Sequence, residues 1–317
     1  MRALSILGRF LLCFQTCFLS ATAAEENAGA TAWTMARSEE REVVSAAGDQ
    51  YRVMISWPEG EAPEKGWPVV YVLDGDHAFP IVTSIMRGLT RSPRAAKFDG
   101  VDPGVVVGIG YYGESRRSFD YTPPAPEIVP DEMLKGTAFE NERNGGADRF
   151  LDFIEKDLKP LVEQSYRIDQ GRQSLMGHSY GGLFALHAMF TRPEMFQTYV
   201  ASSPSIWWNR EFILSEEKSF LTRMREKPMP LRLVMSIGEY EQSLTPGEID
   251  LPPARREQIK YHRGRRRMVD NSRELGWRLE RLEGMRVTYQ IFPMATHGSV
   301  VAPAVCLAMP VVLAPVK

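Results

Sequence analysis

Cysteine is scarce: the chain has three in 317 residues. Cys13 and Cys17 fall within Met1–Ala24, so a chain without that stretch keeps only Cys306 and can form no intrachain disulfide. No cysteine pair and no His-Glu-x-x-His run offers metal-ligand spacing, so neither a metal site nor a cofactor is expected. Net charge is small as well, 38 basic against 40 acidic residues, formally −2. That excludes a general polyanion binder and makes nucleic acid an unexpected partner. Long apolar runs are missing. Phe10–Leu19 is shorter than the ~20 residues that cross a bilayer. Val300–Val316 is interrupted by Pro303, Pro310 and Pro315, which break a spanning helix. No internal repeat and no low-complexity linker divides the chain.

What is present is ordinary for a soluble globular protein, 44% hydrophobic and 25% charged residues. A fold of this length buries roughly 75% of its unfolded surface and needs no covalent staples. Met1–Ala24 carries Arg2 and Arg9, then the apolar run, then Ser20-Ala21-Thr22-Ala23-Ala24. That order reads as a cleavable export signal, and the chain as periplasmic, without stable membrane insertion once the signal is gone. Residues 25–37 read as a flexible leader and 38–317 as one domain.

Alternating residues in Arg41–Ser45 and Tyr51–Trp57 flank a turn at Gly48-Asp49, a hairpin pattern. The continuous apolar runs Trp67–Leu73 and Val105–Ile109 predict strands buried on both faces. Helical spacing marks Asp148–Gln164, Gly182–Phe190 and Arg267–Leu282. Short strands are predicted at Gln173–Met176, Phe196–Ala201, Leu231–Ile237 and Arg286–Phe292. This order predicts a mostly parallel sheet of about eight strands, helices on both faces and an antiparallel N-terminal hairpin. Excursions at 111–147 and 242–266 follow strand ends, where substrate-facing loops are usual.

Gly177-His178-Ser179-Tyr180-Gly181 is a G-x-S-x-G sequence between a predicted strand and a predicted helix. Such a turn is sharp and strained, and it lifts the serine hydroxyl above the sheet as a candidate nucleophile. A serine needs a base, and five histidines are available. His178 adjoins the serine, but its side chain should point elsewhere. His187 lies between Leu186 and Ala188 and reads as a core residue. His262 sits in a basic run and reads as solvated. His77 follows an early strand and reads as a pocket residue. His297 follows the last predicted strand and is the candidate base. The acid should lie between 179 and 297 and follow Leu231–Ile237, where Gly238-Glu239-Tyr240-Glu241 stands. Glu241, three past the glycine, is the first choice and Glu239 the alternative; a Ser–His dyad with neither is also open. The oxyanion hole is assigned to the backbone N–H groups of Tyr180 and Asp76, with Gly75 giving room.

Asp74-Gly75, Arg116-Arg117-Ser118-Phe119-Asp120-Tyr121-Thr122-Pro123, the Gly177–Gly182 elbow, Ser203-Pro204-Ser205-Ile206-Trp207-Trp208 and Gly238–Glu241 together resemble the esterase D-like branch of α/β-hydrolases. Within it they are most similar to the periplasmic ferric-enterobactin and salmochelin esterases, over roughly 40–310. The resemblance implies an α/β-hydrolase fold and hydrolysis of the ester bonds of a trilactone catecholate siderophore, which frees its iron. It implies catalysis by Ser179 and His297, with Arg117 facing the anionic ligand and Trp207 and Trp208 near the pocket rim. Members of the branch work with a dyad as well as a triad. A small anionic ester is the partner this suggests, and the basic residues in 254–267 suit an anion, although a solvated helix face explains them equally. The alternatives are a general carboxylesterase or acyltransferase on this fold, or a ligand-binding protein that has lost turnover.

Overall fold

The two apolar runs become adjacent strands in an eight-stranded sheet of the computed structural model, which describes residues 33–129, 131 and 142–315. The expected export signal and residues 25–32 of the expected leader lie outside the described residues, as does part of the 111–147 excursion. The strands are β1 Ser38–Val44, β2 Gln50–Ser56, β3 Trp67–Val72, β4 Val105–Gly110, β5 Ile168–His178, β6 Thr198–Ser202, β7 Leu231–Gly238 and β8 Met285–Phe292. Their order across the sheet is β1-β2-β4-β3-β5-β6-β7-β8. β1 and β2 pair antiparallel, as do β2 and β4, and every later neighbour is parallel. This is the α/β-hydrolase arrangement. Because β3 to β8 run the same way, the loops after their C-terminal ends share one edge, where ligands bind in open α/β sheets.

The helices used below are α1 Gly75–Leu89, α2 Ala147–Phe153, α3 Tyr180–Thr191, α4 Ile213–Glu226, α5 Pro253–Arg266, α6 Met268–Glu280 and α7 Val301–Leu313. Successive strand side chains point to opposite faces. Val69, Tyr71 and Leu73 join one core with Phe150 of α2, Phe184 of α3 and Phe220 of α4. Val70 and Val72 are equally buried on the other face, where α7 meets β3, β5, β6 and β7 and packs on α1. Two covered faces explain why β3 and β4 read as unbroken apolar runs rather than alternating ones. Each such core aromatic is worth ~3–5 kcal/mol against alanine.

Three elements differ from expectation. β5 begins at Ile168 rather than Gln173, because its first half is polar: Arg172 is held there by Asp169 at 2.8 Å. The helix after the excursion is not regular. α2 continues into a π turn, Ile154–Leu158, before Lys159–Ser165, and the Lys159 N–H reaches back five residues to Ile154 O. Pro160, which has no N–H to give, follows at once. The 242–266 excursion is mostly helix, Pro246–Ile249 and then α5, in which no residue is buried.

The terminal apolar stretch is a buried helix, α7, with Pro303 in its first turn, where an N–H has no intrahelical partner. Among the described residues no helix is long and apolar enough to cross a membrane.

Candidate active site

One residue makes the turn from β5 to α3. Ser179 has φ 60° and ψ −118°, a conformation costing ~1–3 kcal/mol that persists only where its surroundings enforce it. The glycines around it allow that enforcement. A Cβ on Gly177 would stand 2.2 Å from Gly181 O, and one on Gly182 would stand 2.8 Å from Ser202 O. One on Gly181 would meet nothing closer than 3.4 Å. The close approach thus needs Gly177 and Gly182 rather than the motif's last glycine. The Ser179 N–H donates to Ser202 O at 3.0 Å, and Ser179 O accepts from the Ser205 N–H at 3.1 Å. Its Oγ lies 3.5 Å from Ser205 Oγ.

Acid and base come from the ends of β7 and β8, and a glycine lets those ends meet. A Cβ on Gly238 would stand 2.5 Å from Ala295 O, and the Tyr240 N–H donates to the same oxygen at 2.9 Å. Glu241 Oε2 is 2.5 Å from His297 Nδ1. Its Oε1 accepts from Ser203 Oγ at 2.6 Å and from the Gly238 N–H at 2.8 Å. Burial pushes the Glu241 pKa up, but the His297 contact, with Ser203 and the Gly238 amide, holds it below the ordinary glutamate value. A carboxylate at Nδ1 puts the ring proton there and leaves Nε2 as the basic nitrogen. Glu239 plays a different part. Its carboxylate accepts the N–H of Met294, a residue at φ 58°, and so pins the loop that carries His297.

His178 turns from the serine toward the last loop. Its ring packs on the His297 ring, centroids 4.5 Å apart, and its Nδ1 lies 3.2 Å from Ser202 Oγ. Burial, then the neighbouring His297 and Arg117, push its pKa down to about 3, so this ring is neutral. Through this contact the candidate base stands beside the residue before the nucleophile. Among the described residues no hydrogen bond joins Ser179 Oγ to His297. The ring is half-exposed, and catalytic hydrogen bonds are often long in a free enzyme and tighten only with substrate.

A cavity of about 400 Å³ opens between α1, α7, the loop after β4 and the end of β5, with Asp74, Asp76, His77, Tyr111, Arg117 and His178 in its wall. His77 is exposed there. The Asp76 side chain turns away to Arg52 at 2.8 Å and to the Tyr111 N–H at 3.2 Å. Its backbone N–H belongs to the first turn of α1, and that of Tyr180 to the first turn of α3. First-turn amides lack intrahelical acceptors and sit at the positive end of the helix dipole, which suits an oxyanion. A Cβ on Gly75 would stand 2.6 Å from Ile109 N, which is why the chain can pass here.

Arg117 stands in the cavity wall, where its guanidinium also holds both Asp74 oxygens, at 2.7 and 3.0 Å, and His178 O at 3.0 Å. It braces the loop after β3 against the elbow. Trp208, expected at the rim, is 4% exposed and sits in the core. Trp207 is half-buried, stacked 4.0 Å beneath the Arg266 guanidinium and tilted against Tyr180. The basic run is largely paired, Arg263 with Glu248, Arg266 with Asp131, Lys260 with Glu257 and Arg267 with Glu274. His187 is buried between Glu216 and Asp148, away from the chemistry. Among the described residues no cluster of three metal-binding side chains occurs. Ser203 and Ser205 join the site without having been expected there; the only signal for them in the sequence is the Ser-Pro-Ser segment that contains both.

The family model described as "Putative esterase" matches residues 44–276. The chain belongs to that family. It is a hydrolase acting on ester bonds. The chain is 37% identical over 271 residues to the ferri-bacillibactin esterase BesA of Bacillus subtilis, covering 84% of this chain and 85% of that protein. It is also 37% identical over 276 residues to the siderophore enterobactin esterase of Emericella nidulans, covering 80% and 86%. The solved structure of the siderophore hydrolase EstB from Aspergillus nidulans superposes with TM-score 0.75 at 32% identity, covering 90% of this chain and 97% of that one.

Proposed function

We propose that this esterase hydrolyses the ester bonds of a catecholate trilactone siderophore and thereby releases its iron, by a Ser179–His297–Glu241 mechanism. The observation that carries the mechanism is the Glu241–His297 contact at 2.5 Å beside a strained serine elbow. His297 Nε2 takes the Ser179 proton as Oγ bonds to the ester carbon. The tetrahedral oxyanion is held by the Tyr180 and Asp76 amides, each worth roughly 10²–10³ in rate. On collapse the C–O bond to the alcohol breaks, and His297 returns the proton to the departing alkoxide. Water then repeats the sequence on the acyl-serine and frees the acid. Glu241 keeps the imidazole in the tautomer this needs.

The substrate class is supported by the relatives named above, a ferri-bacillibactin esterase and a siderophore enterobactin esterase. Export through a cleavable signal at residues 1–24 and a single domain over 38–317 belong to the same proposal. A fluorophosphonate reagent tests the chemistry: peptide mapping should find Ser179 labelled, with labelling lost in His297→Ala. Label on another serine contradicts the assignment.

A further inference from the structure

Two hydroxyls beside the catalytic set have no part in the steps above. Both belong to Ser203-Pro204-Ser205, which directly follows β6. Ser203 is fully buried, has φ 45°, and is anchored by its N–H on Ser236 O at 2.7 Å. Its Oγ donates to Glu241 Oε1 at 2.6 Å, on the opposite side of the carboxylate from His297. Two residues on, Ser205 is 1% exposed. Its N–H holds Ser179 O, and its Oγ stands 3.5 Å from the Ser179 hydroxyl. Pro204 packs on the helix that carries the nucleophile, its Cα 3.0 Å from where a Gly182 Cβ would be. Three consecutive residues thus touch both ends of the catalytic set. A non-glycine residue at φ 45° is strained by ~1–3 kcal/mol, and such strain concentrates where geometry is functional.

We infer that Ser203 and Ser205 are positioning residues that hold acid and nucleophile as one unit. Ser203 keeps the Glu241 carboxylate ionised and aimed at His297. Ser205 fixes the rotamer of the Ser179 hydroxyl. As Ser179 gives its proton to His297, the Ser205 hydroxyl donates a hydrogen bond to the developing negative oxygen and keeps its own proton. The inference rests on the serine-esterase mechanism proposed above.

The test uses the full chain, a p-nitrophenyl ester as substrate across roughly pH 5–9, and the rate of fluorophosphonate labelling. The variants are Ser203→Gly, Ser205→Ala and Ser179→Ala. Glycine adopts φ 45° freely, so Ser203→Gly removes the hydroxyl without imposing backbone strain, and a thermal melt checks that it folds. Ser205→Ala is expected to lower kcat and the labelling rate about tenfold with KM nearly unchanged and the acid limb of the profile in place. Ser203→Gly is expected to move the acid limb to higher pH. Its carboxylate loses a donor, so the Glu241–His297 pair takes up a proton more readily. A structural role alone produces neither signature. Wild-type kcat and labelling rate in Ser205→Ala, or an unmoved acid limb in folded Ser203→Gly, overturns the inference while leaving the esterase mechanism standing. Turnover that survives in Ser179→Ala overturns the mechanism itself and the inference with it.

Discussion

Replacing Glu241 by glutamine separates a triad from a dyad. Glu241 is buried and accepts from three groups: His297 at 2.5 Å, Ser203 at 2.6 Å and the Gly238 amide at 2.8 Å. Glutamine keeps the volume and can still accept from Ser203 and Gly238 through its oxygen. Its amide nitrogen then faces His297 Nδ1 and donates, so the ring proton moves to Nε2 and the basic nitrogen is lost. A wrong tautomer of this kind costs about 10⁴ in kcat where it has been isolated, or ~5.5 kcal/mol of transition-state stabilisation. Exchanging charge-assisted for neutral hydrogen bonds costs the fold ~1–3 kcal/mol, so the variant should remain folded at 25 °C. The assay is steady-state hydrolysis of a p-nitrophenyl ester, with a urea melt on the same preparation. Glu239→Gln is the matched control, since among the described residues its carboxylate meets only the Met294 amide, which glutamine can also accept, and it should change kcat less than about threefold. A Glu241→Gln enzyme that keeps more than a tenth of wild-type kcat refutes the reasoning, as does a Glu239→Gln variant that is equally impaired.

Gly177→Ala places a Cβ 2.2 Å from backbone that cannot yield and should cost ~3 kcal/mol or more. Gly181→Ala, at ordinary contact distance, should cost under ~1 kcal/mol; equal urea midpoints for the two contradict the elbow packing. Arg117→Lys loses the bidentate hold on Asp74 and should lower kcat roughly tenfold for uncharged and anionic esters alike. A loss confined to KM for anionic esters would show that Arg117 acts on the ligand rather than through Asp74. Burial pushes the His187 pKa down, but Asp148 and Glu216 outweigh it and hold it above the ordinary histidine value. Its contribution to stability is therefore whole below about pH 6.5 and is lost as pH rises through the folded value. Urea melts across that range should show the decline in wild type and not in His187→Gln.

The fold was legible because its signals are local. Val69 to Leu73 alternate between two covered faces, so the run is apolar throughout, and the Gly177–Gly182 sequence needs only its flanking strand and helix to be interpreted. The π turn before Pro160 was not legible, since helical spacing survives one widened turn. The first half of β5 was hidden by Asp169, Gln170 and Arg172, polar residues in a strand sought by its apolar run; Arg172 is buried there on its partners Asp169 and Asp102. At the site, Ser179, His297 and the Glu239/Glu241 pair follow from chain order, but the choice between the glutamates does not. It depends on which carboxylate meets a loop 56 residues away. The ion pair of Arg117 with Asp74, 43 residues apart, was hidden in the same way, because so distant a contact leaves no local signal. The contact of His178 with His297 was not legible, since the elbow turns one residue, Ser179, and leaves its predecessor on the strand, level with a loop far along the chain.

The most direct test of the substrate is chromatography of a ferric catecholate trilactone such as ferric enterobactin after incubation with the wild-type chain and with Ser179→Ala. Linear trimer, dimer or monomer from the wild type alone is the expected result. Intact trilactone after wild-type treatment, from an enzyme that still cleaves a p-nitrophenyl ester, contradicts it.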